Sequence, residues 1–178
     1  MKARLMLDLF AGLGGASEAM RRRGWDVVTV DNDPAFGCTH TADLAAWSWD
    51  GPRPDLVWAS PPCTEFSRES MPWCRTGEVP SLDLLHAALR VIRECDPKWW
   101  VVENVRGAVK WFRPVLGEPK QVHGPFFLWG SFPPFKCRVR SFKGRLSSSQ
   151  RALRAKVPYA LSAALAIACE RNLFSEAA

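Results

Sequence analysis

Arg4-Leu5-Met6-Leu7-Asp8, running into Leu9-Phe10-Ala11-Gly12-Leu13-Gly14-Gly15-Ala16-Ser17, is the stretch that decides the fold. Its first five residues read as a strand. The segment onward to Arg23 has helical composition, and Gly24 supplies a C-cap. Glycines between a strand and a helix let backbone N–H groups approach a ligand closely. The spacing is Gly-x-Gly-Gly and not the dinucleotide Gly-x-Gly-x-x-Gly, which points to a different nucleoside-like cofactor.

Working outward, Trp25-Asp26-Val27-Val28-Thr29-Val30 reads as a second strand ending at Asp31. An acid there either accepts both hydroxyls of a ribose or belongs to a turn, Asp31-Asn32-Asp33-Pro34. Asp43-Leu44 follows a loop, where a third strand tip falls. Its carboxylate suits an exocyclic amine of adenine or a helix N-cap equally well. Asp55 to Ala59 forms a fourth strand, followed by Ser60-Pro61-Pro62-Cys63-Thr64-Glu65-Phe66-Ser67. The paired prolines stop that strand, because each fixes φ and removes a backbone donor. Cys63 is thereby presented from a stiff loop just past a strand's carboxyl end, where open α/β sheets place their ligands. A thiol there is either a small buried apolar residue or a nucleophile that works as a thiolate.

Arg68 to Pro80 has little periodicity and reads as a surface loop able to close over a substrate. Ser81 to Glu94 is the clearest helix, capped by Ser81 and ended by Asp96-Pro97. Trp99-Trp100-Val101-Val102-Glu103-Asn104-Val105 is an apolar strand terminated by a carboxylate. A glutamate at the mouth of a buried strand is costly unless it is salt-bridged or its pKa is raised, and the second state is what a general acid needs. Short strands and turns are expected over Gly124–Gly130 and Phe132–Phe135. Lys136-Cys137-Arg138-Val139-Arg140 alternates, which sets Arg138 and Arg140 on one strand face, suited to an oxygen-rich or anionic ligand. Ser147 to Gln150 reads as a flexible connection, and Val157 to Arg171 as an amphipathic helix packed back on the sheet.

With 178 residues, 47% apolar and 24% charged, the chain is expected to form one domain over 1–178. It has no run of eighteen apolar residues, so no membrane span is expected. Asp8 comes too early for a secretory signal, which leads to a cytoplasmic expectation. The six cysteines form no Cys-x-x-Cys pair and the three histidines are isolated, so no metal site is expected. The net charge of +6 is unevenly placed: between Glu118 and Glu170 every charged residue is Lys or Arg. Such a surface either suits a polyanion or is a solvated basic face. The nine tryptophans are either core residues or an exposed association surface.

Asp8-Leu9-Phe10-Ala11-Gly12-Leu13-Gly14-Gly15, then Pro61-Pro62-Cys63 with Phe66-Ser67, Glu103-Asn104-Val105 and Arg138-x-Arg140 occur in that order. The set resembles the DNA (cytosine-5) methyltransferase family. That resemblance implies an α/β, Rossmann-like S-adenosylmethionine-dependent methyltransferase fold, a mostly parallel mixed sheet with helices on both faces. It implies methyl transfer to cytosine C5 in DNA, with S-adenosylhomocysteine as product and no metal. Carried over by position, Cys63 is the nucleophile and Glu103 holds the N3 and amino edge of cytosine. Arg138 and Arg140 sit near the cytosine O2 and the nucleophile, where they favour the thiolate. Phe10, Gly12, Leu13, Gly15 and Pro62 surround the cofactor. Asp31 binds its ribose, Asn32 lies beside the adenine, and Asp43 and Leu44 contact the base edge. Lys156 and Val157 resemble the family's closing motif and complete the pocket.

There are departures. The family commonly has Gly-Gly where Ala59-Ser60 stands, Gln in place of Thr64 and of Lys136, and Gly-Asn in place of Arg154-Ala155. It also inserts a sizeable target-recognition domain after Arg-x-Arg, here absent or reduced to about 141–155. The compact pattern is similar to phage and prophage members. Major-groove readout then has no obvious carrier, so a separate specificity partner or self-association enters as an expectation beside DNA itself. The same chemistry on RNA, on a free nucleotide or with a modified donor stands as the alternative, as does a nucleic-acid-binding subunit with weak activity alone.

Overall fold

The computed structural model describes residues 4–68, 79–139 and 156–176. Long apolar runs with β-branched and aromatic residues become strands, and in chain order these are β1 (Leu5–Leu9), β2 (Asp26–Asp31), β3 (His40–Thr41), β4 (Leu56–Ala59), β5 (Trp99–Asn104), β6 (Gln121–His123) and β7 (Phe126–Ser131). They form one sheet in the order β3-β2-β1-β4-β5-β7-β6. The β1, β2, β3, β4 and β5 pairings are parallel, and β7 runs antiparallel to both β5 and β6.

The helices are α1 (Glu18–Arg22), α2 (Thr64–Arg68), α3 (Asp83–Cys95), α4 (Val109–Leu116) and α5 (Tyr159–Glu176). Alternation along the strands assigns them to two faces. Met6, Leu56, Trp58 and Val101 point to one side and meet Met20 of α1 with Leu161 and Leu165 of α5. Leu7, Leu9, Val57 and Val102 point to the other and meet Leu85 and Val91 of α3 and Phe112 of α4. Central strands covered on both faces must be apolar throughout, which is why β1, β4 and β5 carry so few polar residues. Those polar residues, Asp8, Glu103 and Asn104, are buried near the carboxyl ends.

The terminal helix is tied down by polar anchors in an otherwise alanine- and leucine-rich surface. Ser162 Oγ donates to Ala16 O at 2.6 Å and accepts from Ala19 N at 3.2 Å. Glu170 receives Trp25 Nε1 at 3.0 Å, Arg4 at 2.6 Å and a bidentate Arg23. Gly24, at φ 78°, lets the chain reverse after α1, with its N–H on Arg21 O and that of Trp25 on Met20 O.

Several expected elements differ. The helix expected over Ser81–Glu94 begins at Asp83; Ser81 Oγ accepts from Asp83 N at 3.1 Å, and Ser81 N itself donates to Glu65 at 2.8 Å. The stiff loop ends at Cys63, because Thr64–Arg68 is already helical. Residues 132–139 form no strand, so Arg138 does not lie on the strand face expected for it. Pro133 and Pro134 cannot donate to a ladder, and the Gln121 side chain stands in for one, giving Nε2 to Phe135 O at 2.8 Å and taking Phe135 N at 3.3 Å. The tryptophans described are core residues: Trp25, Trp58, Trp99 and Trp129 are buried, and Trp47, Trp49, Trp100 and Trp111 half-buried. Arg140, the loop over 69–78 and the connection over 147–150 lie outside the described residues.

Candidate active site

Strand order reverses direction between β1 and β4, since β2 and β3 continue to one side of β1 and β5 to the other side of β4. A crevice opens at the carboxyl ends on either side of such a point. Here it holds a cavity of about 220 Å³. The turn after β1 forms one wall through Phe10, Gly12, Leu13 and Gly15; Ser60, Pro62 and Cys63 after β4, and Glu103 on β5, form another. Lys156 and Val157 line it as well. A second cavity of about 320 Å³ adjoins it, lined by Asp31, Asn32, Asp43 and Leu44, and shares Phe10, Phe36, Ser60 and Pro62 with the first.

The glycine turn is shaped by backbone strain and close approach. Phe10 sits at φ 58°, an uncommon conformation for a bulky residue and a mark of functional sites. A Cβ on Gly15 would lie 2.5 Å from Val157 O and 2.6 Å from Lys156 Cγ. The missing side chain at 15 therefore admits the protein's own returning chain, not only a ligand. Asp31 takes part in the turn and also lines the second cavity. Its Oδ2 accepts from Gly12 N at 2.9 Å and its Oδ1 from Asp33 N at 3.0 Å, while Asp33 caps the turn at Pro34–Phe36. Asp43 likewise lines the cavity, yet its Oδ1 already takes Ala45 N at 2.9 Å.

Cys63 is half-buried at the start of α2, with Ser67 N donating to its carbonyl at 2.9 Å. Burial pushes its thiol above the ordinary range; Ser67 lowers it, and the Glu103 charge raises it further. The expected arginine assistance is not what shapes this thiol among the described residues: Arg138 is exposed and does not line the cavity. Glu103 is not salt-bridged among the described residues. Ser60 Oγ donates to its Oε2 at 2.9 Å, and Trp58 Nε1 donates to Ser60 Oγ at 2.7 Å. Burial raises Glu103 from 4.5 to about 7, with Ser60 opposing it. Asn104 braces the cysteine loop: its Nδ2 donates to Pro61 O at 2.9 Å and its Oδ1 accepts from Val105 N at 2.9 Å. The arrangement joins a thiol to a carboxyl that holds its proton near neutrality.

Residue-level sequence reasoning missed four contributors: Asp8, Ser60, Asn104 and Phe36. Asp8 is buried, lines the first cavity, and is raised from 3.8 to about 7 by burial, with Ser17 and Arg21 pulling the other way. An acid at the end of a buried strand is the same signal that singled out Glu103, so Asp8 was findable.

A family model described as C-5 cytosine-specific DNA methylase matches residues 5–112. The chain belongs to that family. A "Probable DNA (cytosine-5)-methyltransferase" of Frog virus 3 (isolate Goorha) is 34% identical over 115 residues, covering 56% of this chain and 52% of the viral one. Type II methyltransferase M.XorII of Xanthomonas oryzae pv. oryzae is 33% identical over 121 residues, covering 57% of this chain and 28% of its own. The chain thus spans about half the length, or less, of these curated relatives. A solved structure described as a DNA modification methyltransferase encoded within an E. coli prophage superposes with a TM-score of 0.50 at 20% identity, over 72% of this chain and 47% of that one. That likeness is one of fold, the Rossmann-like fold of S-adenosylmethionine-dependent methyltransferases. Among the described residues no helix is long and apolar enough to cross a membrane, and no cluster of His, Cys, Asp or Glu could hold a metal ion.

Proposed function

We propose that this chain methylates C5 of cytosine in DNA through a covalent bond from Cys63 to C6. The observation that carries the reading is the shared cavity, in which the Cys63 thiol and the proton-holding Glu103 carboxyl face the glycine turn after β1. S-adenosylmethionine fits the two adjoining cavities on a specific ground. Asp8 Oδ2 is buried without a hydrogen-bond partner among the described residues, an acceptor suited to a cationic ligand. Asp31 would take the ribose, Asn32, Asp43 and Leu44 the adenine, and Lys156 and Val157 would close the glycine side. When bound, that cofactor supplies an electrophilic methyl group to C5 and leaves as S-adenosylhomocysteine.

The chain's own residues make C5 receptive. Cys63 adds as thiolate to C6, and Glu103 gives its proton to N3, so the ring electrons pass to C5 as in an enamine. After methylation the C5 proton is lost to a base, the C6–S bond breaks, and the Cys63 thiolate is regenerated with N3 returning its proton. The cytosine must first leave the duplex stack, at a cost of about a few kcal/mol. Arg138 and Arg140 are proposed to approach the cytosine O2 only with DNA in place.

Transfer of tritiated methyl from S-adenosylmethionine to DNA is the test. Cys63→Ala is expected to abolish it, and transfer surviving that change removes Cys63 from the mechanism. Comparing double-stranded DNA, single-stranded DNA, RNA and dCMP as acceptors separates the substrate classes. A second reading follows from the short interval over 141–155: a partner supplies recognition. A covalent adduct with 5-fluorocytosine DNA formed by the purified chain alone counts against it.

A further inference from the structure

Ser60 is one of the residues where the sequence departs from the pattern it otherwise resembles, and it occupies a chemically directed position. Trp58 is fully buried on β4, and its indole can only donate. It donates to Ser60 Oγ at 2.7 Å, so the single hydroxyl proton of Ser60 is left for Glu103 Oε2, 2.9 Å away. The chain of donors Trp58→Ser60→Glu103 therefore runs one way. Among the described residues Oε2 is the only Glu103 oxygen that receives a hydrogen bond, leaving Oε1 as the oxygen that carries a transferable proton. Ser60 also lines both cavities, so it borders the proposed cofactor site as well as Glu103.

We propose that Ser60, oriented by Trp58, is a positioning residue that directs the acidic proton of Glu103 to Oε1 and sets the pH range over which that proton is available. This rests on the reading of Glu103 as the acid that protonates N3. A hydrogen bond donated to a carboxylate favours its ionised form, so removing it holds the proton to higher pH. The effect is opposite to what simple damage to the site produces, which lowers activity at every pH.

Glu103 is read directly by carbon-13 NMR of the full chain labelled at glutamate carboxyls, with Glu103→Gln assigning the signal. Ser60→Ala is expected to raise the Glu103 midpoint by about one pH unit, the scale of a hydrogen bond to a charged group. Ser60→Thr, which keeps the hydroxyl, is expected to stay near the parent value. Trp58→Phe, which keeps an aromatic ring and removes the N–H, is expected to fall between them and covers the case in which Ser60→Ala does not fold. The alkaline limb of adduct formation with 5-fluorocytosine DNA should move in the same direction. An unchanged midpoint in folded Ser60→Ala, or in folded Trp58→Phe where the alanine variant does not fold, overturns the proposal. Absence of adduct from the parent protein instead counts against the proposed function, while the shift in the Glu103 midpoint still decides the role of Ser60.

Discussion

Cys63 and Glu103 are coupled, and the coupling has a sign. Glu103 ionises near pH 7, and once ionised its charge holds the Cys63 proton on. A protonated Glu103 therefore makes thiolate formation easier at the moment its own proton is wanted by the base. Glu103→Gln removes the charge while keeping the shape, so the rate of Cys63 alkylation by iodoacetamide should rise severalfold at about pH 8 to 9, followed by mass spectrometry of the Cys63 peptide. Methyl transfer by the same variant should fall, because an amide cannot donate a proton to N3. An unchanged alkylation rate in Glu103→Gln would show that burial, and not the Glu103 charge, sets the thiol. At this scale Cys63 and Glu103 were legible because their residue types sit at strand mouths; the Ser60 link was not, since it joins residues 43 apart in the chain that meet only because β4 and β5 are neighbours.

At the scale of elements, the cavity depends on how the chain entering α5 meets the glycine turn. Gly15 lies against Val157, and any side chain at 15 would force the backbone apart, because its Cβ would come within 2.5 Å of Val157 O. Ser162 secures the same junction by taking Ala19 N and giving to Ala16 O. Ser162→Ala would leave both groups buried and unpaired, at about 2–3 kcal/mol. A fall of roughly 5–10 °C in Tm is expected for a chain of this size, read by calorimetry. Weaker S-adenosylmethionine binding should accompany it in titration calorimetry, because the turn and α5 would no longer be held together. Unchanged Tm and affinity would show that this anchor is dispensable. A helix over Val157 to Arg171 was readable from composition, and the structure runs it from Tyr159 to Glu176; what it packs against was decided by two polar residues, Ser162 and Glu170, within an apolar surface.

Across the whole molecule the buried carboxyls give opposing dependences on pH. Asp8 and Glu103 rise from 3.8 and 4.5 to about 7, so the folded protein holds protons that the unfolded chain releases. Their stability is present below the unfolded values and is lost as pH rises through about 7, on the order of several kcal/mol for the pair. Glu170 behaves in the opposite sense. Burial acts to raise it, but the hydrogen bonds from Arg23 and Trp25 and the charges of Arg23 and Arg4 together leave it below 4.5. Its stability is present above that value and lost as pH falls through the folded one. Maximal Tm is thus expected on the acidic side of neutrality, with a decline between about pH 5 and pH 7 that Glu103→Gln reduces. A Tm that climbs over that interval would contradict the burial of these carboxyls.

The sequence by itself determined the alternation of strands and helices, the glycine turn, the cysteine after paired prolines and the acid at the end of β5, because each is written in residues adjacent along the chain. Periodicity and proline or glycine chemistry act locally, so they survive without coordinates. Only the tertiary structure decided that Trp58 and Ser60 orient Glu103, that Val157 returns to Gly15, and that residues 132–139 do not extend the sheet. Those outcomes follow from which strands become neighbours and which donors are left unpaired, and burial then sets the proton affinities that no local pattern encodes.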